Sequence, residues 1–335
     1  QPTAGRISES VELRYGKGNS SPSEVELAYE AVMTSLILAG KTDLSTDEKV
    51  AKTLPFRRTL FMDIYQAMLK DLLPQVTKDQ IFGMDNQIHE IDTDLYQPLI
   101  TGRGRPMNTL MVGAPGVGKN FVGDYFTTNP NVLTIPFPVK QLDNFADFLL
   151  RLTRMKNAFG FPIVLYIGDI EDLFRGAVSH DTRARALNLL ERMQDTYGIY
   201  LLATLNHSDI EAAFWRRFNI VYFPLPTANQ RRQLCAEIIP QGPLSNEQYL
   251  AMVAKLADRM EGFNYDGITN VPDFFHNRDG ADLTVGAYQQ IIEEALQKVR
   301  QQTNLNELSI LDEAAREMTH RPRRRPAGLT RPKED

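Results

Sequence analysis

One glycine-rich segment, residues 113–120, constrains the fold of this chain more than any other part of the sequence. It reads GAPGVGKN, with the pattern G-x-x-x-x-G-K, after the apolar run 109–112 and before residues with helical spacing. A loop of this kind between a strand and a helix cradles phosphates with its backbone N–H groups, and the helix N-terminus adds a favourable field. The pattern therefore predicts a P-loop that binds a nucleoside triphosphate, with Lys119 on the β- and γ-phosphates.

Strand and helix patterns alternate on both sides of this loop. The predicted strands are 109–112, 132–135, 163–167, 199–204 and 221–224, and helical stretches separate them. Such alternation predicts a mostly parallel sheet that is covered by helices on both faces. After residue 226 the pattern is helical only, with predicted helices at 229–239, 246–260, 268–275 and 284–300 and a further turn or two at 312–318.

These patterns divide the chain into five regions. We expect a flexible lead-in over 1–24, an N-terminal helical region over 25–78, an α/β nucleotide-binding domain over 79–227, a helical lid over 228–305, and a helical turn with a basic disordered tail over 306–335. The first residue is Gln1, which is typical of a processed form or of a piece of a longer chain.

Composition excludes several classes of protein. The net charge of −5 gives no overall attraction to nucleic acid or to a membrane surface. No apolar run approaches the roughly 20 residues that a membrane span requires. Cys235 is the only cysteine, so an internal disulfide is excluded. We therefore expect no membrane span and a location in the cytoplasm or another reducing, soluble compartment.

A second segment whose side chains could take part in catalysis lies about 50 residues after the loop. The apolar run 163–167 is followed by Gly168, Asp169, Ile170 and Glu171. In P-loop enzymes, acidic residues at the end of such a strand hold the water shell of Mg²⁺ and polarise the attacking water. The spacing from the P-loop predicts that this strand end completes the same site.

From residue 80 to about residue 300 the chain resembles the AAA+ ATPases. The resemblance rests on segments in the family's order: 83–85 near the adenine, 113–120 as Walker A, 163–172 as Walker B, 203–206 as sensor 1, 215–219 with the arginine finger, 223–226 and 230–232 as the link into the lid, and 261–264 at the start of a lid helix. The implied fold is an α/β P-loop NTPase module with a parallel sheet, a small helical lid and an N-terminal helical region.

The resemblance also implies roles for individual residues. It implies ATP and Mg²⁺ as cofactors, with Asp169, Asn206 and Arg217 as catalytic residues and with Asn120 and Asp169 at the metal. An arginine finger acts on the nucleotide of a neighbouring subunit, so Arg217 implies a homo-oligomeric ring, such as a hexamer. The residues expected to hold the nucleotide are Gly83, Ala114, Pro115, Gly116, Val117, Gly118, Lys119, Asn120 and Phe121.

The sequence departs from the family pattern where Mg²⁺ is handled. Asn120 stands where a Ser or Thr hydroxyl ligates the metal, and Gly168 and Asp169 stand where the family has Asp-Glu. Tyr265 and Asp266 replace small residues in the lid. Nucleotide binding is expected to survive these changes, whereas hydrolysis stays an open question.

Three functions are compatible with this sequence. The first is an oligomeric, ATP-driven remodeller of a protein partner, with pore-loop candidates at 137–139, which begins with Phe137, and at 174–182. The second is an assembly protein that binds ATP but hydrolyses little of it. The third is a DNA-handling protein such as a helicase loader, for which the basic tail at 321–325 gives weak support. No motif identifies the partner.

Overall fold

The structure is a computed structural model, and it describes residues 76–137, 145–173, 188–190, 192–206, 218–271 and 284–320. The N-terminal helical region that we predicted over 25–78 lies almost wholly outside these ranges. So do the predicted lead-in, the basic tail, and the second half of the helix predicted at 268–275.

A five-stranded parallel sheet forms the centre of the described part. Its strand order is β2-β3-β4-β1-β5. Nearly every strand residue is buried, which explains why the strands are continuous apolar runs without a polar alternation. The strands are β1 Thr109–Val112, β2 Leu133–Pro136, β3 Ile163–Ile167, β4 Ile199–Leu205 and β5 Asn219–Tyr222. The predicted α/β class with a parallel sheet is confirmed.

The register of the sheet brings three strand ends together. Strand β4 lies between β3 and β1, with Ile167 paired to Ala203 and Val112 paired to Leu205. Because all strands are parallel, the residues that follow β1, β3 and β4 meet at one edge of the sheet. This edge is where open α/β sheets bind their ligands.

Nine α-helices surround or extend the sheet in the described ranges. A π-helical turn, Asp92–Tyr96, joins α1 to α2 into one continuous segment. The helices are α1 Asp85–Ile91, α2 Gln97–Thr101, α3 Lys119–Thr127, α4 Phe145–Phe159, α5 Ala228–Ile238, α6 Asn246–Arg259, α7 Tyr265–Thr269, α8 Val285–Gln302 and α9 Leu305–His320.

Hydrophobic clusters lie on both faces of the sheet. Met111, Val164 and Leu202 belong to a cluster that includes the lid helices. Leu110 and Leu165, their neighbours in sequence, belong to a second cluster on the other face. Successive strand residues point to opposite faces, so the two clusters confirm that the sheet is covered on both sides.

The lid is joined to the sheet domain by polar contacts. Helix α5 begins with a capping box in which Thr227 and Gln230 exchange side-chain and backbone hydrogen bonds. The buried Arg231 donates to the carbonyl oxygens of Ala257 (2.8 Å) and Pro226 (2.9 Å). These contacts fix α5 against α6 and against the segment that leaves β5.

The final helix is longer than the turn or two predicted at 312–318. Helix α9 has 16 residues, and Ala315 and Met318 are buried on the sheet. The Asp312 carboxylate accepts hydrogen bonds from the Tyr222 hydroxyl (2.7 Å) and from the backbone N–H of Leu225 (3.2 Å). Tertiary contacts with β5 therefore stabilise a helix that its own sequence indicates weakly.

Across the described ranges, every helix is either too short or too polar to cross a membrane.

Candidate functional site

The glycine-rich segment forms a loop between β1 and α3. Gly116 (φ 70°) and Gly118 (φ 84°) adopt left-handed backbone conformations that glycine tolerates best. Gly113 lies so near the next segment that a β-carbon there would stand 2.3 Å from the carbonyl oxygen of Phe223. Ala114 and Val117 are buried. The strand–loop–helix context of the P-loop prediction is therefore present.

Lys119, the first residue of α3, is folded back onto the loop. Its Nζ donates hydrogen bonds to the carbonyl oxygens of Gly113 and Ala114, both at 2.7 Å. Only 4% of the residue is exposed. Burial lowers the pKa of Lys119 to about 8, and the carboxylates of Glu171 and Asp169 partly offset this shift. The ammonium is thus available at the loop near neutral pH.

The pKa of Lys119 leads to an expected pH dependence of nucleotide binding. Bound phosphates stabilise the ammonium and raise its pKa above the value of about 8 in the free protein. Binding then takes up a proton above this pH, so the ATP affinity is expected to fall by up to about tenfold per pH unit as pH rises from 8 to 9. Fluorescence titration at constant ionic strength, with circular dichroism to verify folding, measures this effect. Equal affinities at pH 7.5 and 9 would contradict it.

Asp169 and Asn206 meet at the ends of β3 and β4. The Asn206 Nδ2 donates to Asp169 Oδ1 at 2.7 Å. Asp169 has a left-handed backbone (φ 50°), and its N–H donates to the Thr204 hydroxyl oxygen at 2.7 Å. The structure thus brings together two of the three catalytic residues that the resemblance implies, at the edge that carries the loop.

Glu171 is a member of the site that our sequence reasoning did not assign a role. It is 4% exposed, and its Oε1 accepts a hydrogen bond from the backbone N–H of Asn206 at 2.9 Å. Its Oε2 is buried and has no hydrogen-bond partner among the described residues. A second acidic residue two positions after Asp169 was the available signal. Glu171 fixes the backbone of Asn206, while Asn206 fixes the carboxylate of Asp169.

Asn120 lies in the same network. Its Oδ1 accepts hydrogen bonds from the Thr204 hydroxyl at 3.0 Å and from the Tyr166 hydroxyl at 3.3 Å. Gly168 is adjacent, since a β-carbon built there would lie 3.9 Å from this oxygen. Asn120 and Gly168, two of the positions at which the sequence departs from the family pattern, are therefore neighbours in space.

The lid contacts the loop directly. Asn264, the N-cap of α7, donates from Nδ2 to the carbonyl oxygen of Pro115 at 2.9 Å, and the Asp266 N–H donates to the carbonyl oxygen of Gly116 at 3.3 Å. A β-carbon at Gly116 would lie 2.8 Å from Asp266 Oδ2, which places that carboxylate beside the loop. The lid segment that we expected to close over a nucleotide is therefore in contact with the glycine-rich loop.

Gly83 lies between two lid side chains. Gln230 Nε2 donates to its carbonyl oxygen at 2.8 Å, and the Tyr265 hydroxyl would stand 3.0 Å from a β-carbon there. Phe121, on α3, is 42% exposed. Of the residues expected to hold the nucleotide, Gly83 therefore lies against the lid.

Some predicted site residues lie outside the described ranges. They are the finger candidate Arg217, its neighbour Arg216, and the pore-loop candidate 174–182. Phe137, the other pore-loop candidate, is described and buried, and its ring lies 5.0 Å from those of Phe145 and Phe148. In the structure, Phe137 packs in the hydrophobic core.

Comparison with known proteins gives distant relatives. No protein-family model matches the chain. It is 26% identical over 258 residues to proteasome-activating nucleotidase 2 of Haloferax volcanii, which covers 70% of this chain and 63% of that protein. It is 27% identical over 239 residues to katanin p60 ATPase-containing subunit A1 of Strongylocentrotus purpuratus, covering 62% of this chain and 46% of that protein. The chain thus spans about half to two thirds of these relatives.

Solved structures share the fold. The crystal structure of the FIGL-1 AAA domain in complex with ADP superposes with a TM-score of 0.55 and 15% identity, over 74% of this chain and 92% of that one. A structure described as the structural basis for katanin self-assembly gives a TM-score of 0.50 and 18% identity, over 71% and 91%. The solved structures show that the chain has the fold of an AAA domain, and the curated relatives, with the glycine-rich loop and the strand order, support its assignment as an AAA+ ATPase.

Proposed function

We propose that this chain binds ATP in the loop between β1 and α3 and works as an oligomer that remodels a protein partner. The observation that carries the proposal is the meeting of Lys119 with the Asp169–Asn206 pair, at one edge of the sheet. The relatives support it, because one is a nucleotidase named as proteasome-activating and one AAA domain is in complex with ADP.

The proposed chemistry follows from the contacts at this edge. Backbone N–H groups of the loop and the Lys119 ammonium would hold the triphosphate. The Asp169 carboxylate would polarise the attacking water, while Asn206 keeps that carboxylate in one orientation through its 2.7 Å hydrogen bond. A buried carboxylate, Glu171, would hold Asn206 in turn.

The oligomer is part of the proposal. The katanin structure described in terms of self-assembly supports an assembly of similar modules. Arg217 is the proposed finger, acting on the nucleotide of the adjacent subunit. In such an assembly, the ATP site of one subunit would be completed by a residue of the next subunit.

A second candidate function has a specific observation in its favour. Asn120 and Gly168 lie together where the family handles its metal, so ATP in this chain could hold an assembly together with little turnover. No contact among the described residues favours the DNA-handling alternative over these two.

Steady-state phosphate release tests the proposal. Replacing Asp169 with Asn is expected to lower the turnover of ATP by about 10²–10³-fold, because the general base is lost, with the ATP affinity nearly unchanged. Asp172→Asn is the matched control, since Asp172 is an exposed acid on the same segment. Mass measurement with and without ATP accompanies the assay.

The outcomes separate the two candidates. Turnover that Asp169→Asn abolishes and Asp172→Asn preserves supports the remodeller. Tight ATP binding and ATP-dependent assembly with no turnover in the unsubstituted chain support the assembly protein. Equal turnover in the unsubstituted chain and in Asp169→Asn would contradict the role of Asp169.

A further inference from the structure

We infer that this site binds its nucleotide without a protein-ligated Mg²⁺, so that the affinity for ATP does not depend on the divalent cation. The inference rests on the proposed nucleotide binding and concerns the metal alone. The fold family implies Mg²⁺ beside the loop, and the side chains present there do not fit it.

The oxygen of Asn120 is already fully used. A carbonyl oxygen has two lone pairs, and Asn120 Oδ1 accepts from the hydroxyls of both Thr204 (3.0 Å) and Tyr166 (3.3 Å). The Thr204 hydroxyl donates in the first bond, because an amide oxygen can only accept, and the oxygen of this hydroxyl accepts the N–H of Asp169. To ligate a cation, Asn120 would have to give up one of these two bonds.

The Tyr166 ring is held in place by the helix that carries the loop lysine. A β-carbon at Gly123 would lie 2.3 Å from its Cζ, so only a glycine on α3 leaves room for this ring. The hydroxyl of Tyr166 is thereby kept within reach of Asn120. The contact is built into the packing of α3 on β3 and does not depend on a mobile surface side chain.

Gly168 supplies no carboxylate, although the space for one exists. A β-carbon there would have its nearest neighbours at 3.8 and 3.9 Å, the Tyr166 hydroxyl and Asn120 Oδ1. A carboxylate at 168 would face the carbonyl oxygen of Asn120, whereas a Ser or Thr at 120 could present a hydroxyl donor. The two departures are therefore mutually compatible, because Gly168 places no carboxylate against the acceptor oxygen of Asn120.

The remaining acids do not replace the lost ligands. Asp169 Oδ1 accepts from Asn206, and Glu171 Oε1 accepts from the backbone of the same residue. Glu171 Oε2 has no hydrogen-bond partner among the described residues, and the charges of both carboxylates stabilise the Lys119 ammonium. In the parts of the chain that the structure describes, no three His, Cys, Asp or Glu side chains form a metal-binding group. Mg²⁺ in nucleotide sites is held by one or two protein ligands in addition to the phosphates. Here the positive charge at the phosphates comes from Lys119.

The test is a calorimetric titration of ATP into the full chain, once with excess Mg²⁺ and once with EDTA. The unsubstituted chain is expected to give dissociation constants that agree within about threefold, less than the tenfold that corresponds to 1.4 kcal/mol. The double variant Asn120→Thr/Gly168→Asp is expected to gain a preference for Mg²⁺ of about tenfold or more, since it regains a hydroxyl and a carboxylate.

Gly286→Asp is the matched control for the added charge, because Gly286 is exposed at the start of α8 with no atom within 4 Å of a β-carbon there. It is expected to behave as the unsubstituted chain does. ATP binding by the unsubstituted chain in Mg²⁺ but not in EDTA would overturn the inference and leave the proposed function intact. A folded chain that binds ATP in neither buffer would overturn the proposed function itself.

Discussion

Replacing Lys119 with alanine is expected to weaken ATP binding by about 100-fold, which is roughly 2.7 kcal/mol at 1.36 kcal/mol per factor of ten. The ammonium is buried at the loop, held by two carbonyl oxygens at 2.7 Å, and is the positive charge that the site directs at the phosphates. Hydrogen bonds from a charged donor to a charged acceptor are about twice as strong as neutral ones. Fluorescence titration with an ATP analogue measures the loss.

A control variant and the burial of Lys119 allow a loss of affinity in Lys119→Ala to be interpreted. Lys255→Ala removes a lysine from an exposed position on α6 and is expected to leave the affinity unchanged. Burial disfavours the charge on Lys119, as its lowered pKa of about 8 indicates, so the alanine variant is expected to remain folded. An alanine variant that is folded and binds ATP as tightly as the unsubstituted chain would contradict the assignment of the loop.

Replacing Tyr96 with alanine is expected to lower the free energy of unfolding by about 3–5 kcal/mol, as large-to-small changes of buried aromatic residues do. Tyr96 is fully buried, and its ring stacks on Phe126 with centroids 4.4 Å apart. Phe126 lies on α3, so this contact anchors the helix that begins at Lys119 to the segment before the sheet. Urea denaturation followed by circular dichroism measures the change.

Tyr96→Phe is the matched control for the aromatic contact. The Tyr96 hydroxyl and the Thr134 hydroxyl form a buried hydrogen bond of 2.9 Å. The phenylalanine variant keeps the ring and loses this bond, so a smaller destabilisation of about 1 kcal/mol is expected, as for one hydrogen bond. Equal losses in the two variants would show that the ring stack contributes nothing beyond the hydroxyl.

The sheet and its loop could be predicted because their signals are local. Residues 163–167 form an unbroken apolar run, and β3 lies at that position. The P-loop pattern places a lysine at the first position of a helix, and Lys119 is the first residue of α3. Strand ends differ from the predictions by one or two residues, as at β5, because pairing with β1 and not apolar character decides where a strand begins.

The polar network of the site could not be predicted, because it joins residues far apart in sequence. Thr204 and Asn120 are 84 positions apart, and Tyr166 and Asn120 are 46 apart. In the sequence, Tyr166 cannot be told from the other apolar residues of its strand. Only the structure shows that its hydroxyl contacts Asn120. The length of α9 was missed for the same reason, since Asp312 contacts Tyr222 across 90 positions.

The central claim is that ATP binds at the loop between β1 and α3 and under the lid, and hydrogen–deuterium exchange with and without ATP tests it most directly. We expect ATP to slow amide exchange over residues 113–121 and over α7, because these segments contact each other through Asn264 and Pro115. Exchange in α9 is expected to stay unchanged. Slower exchange elsewhere with none at 113–121, or no change at saturating ATP, would contradict it.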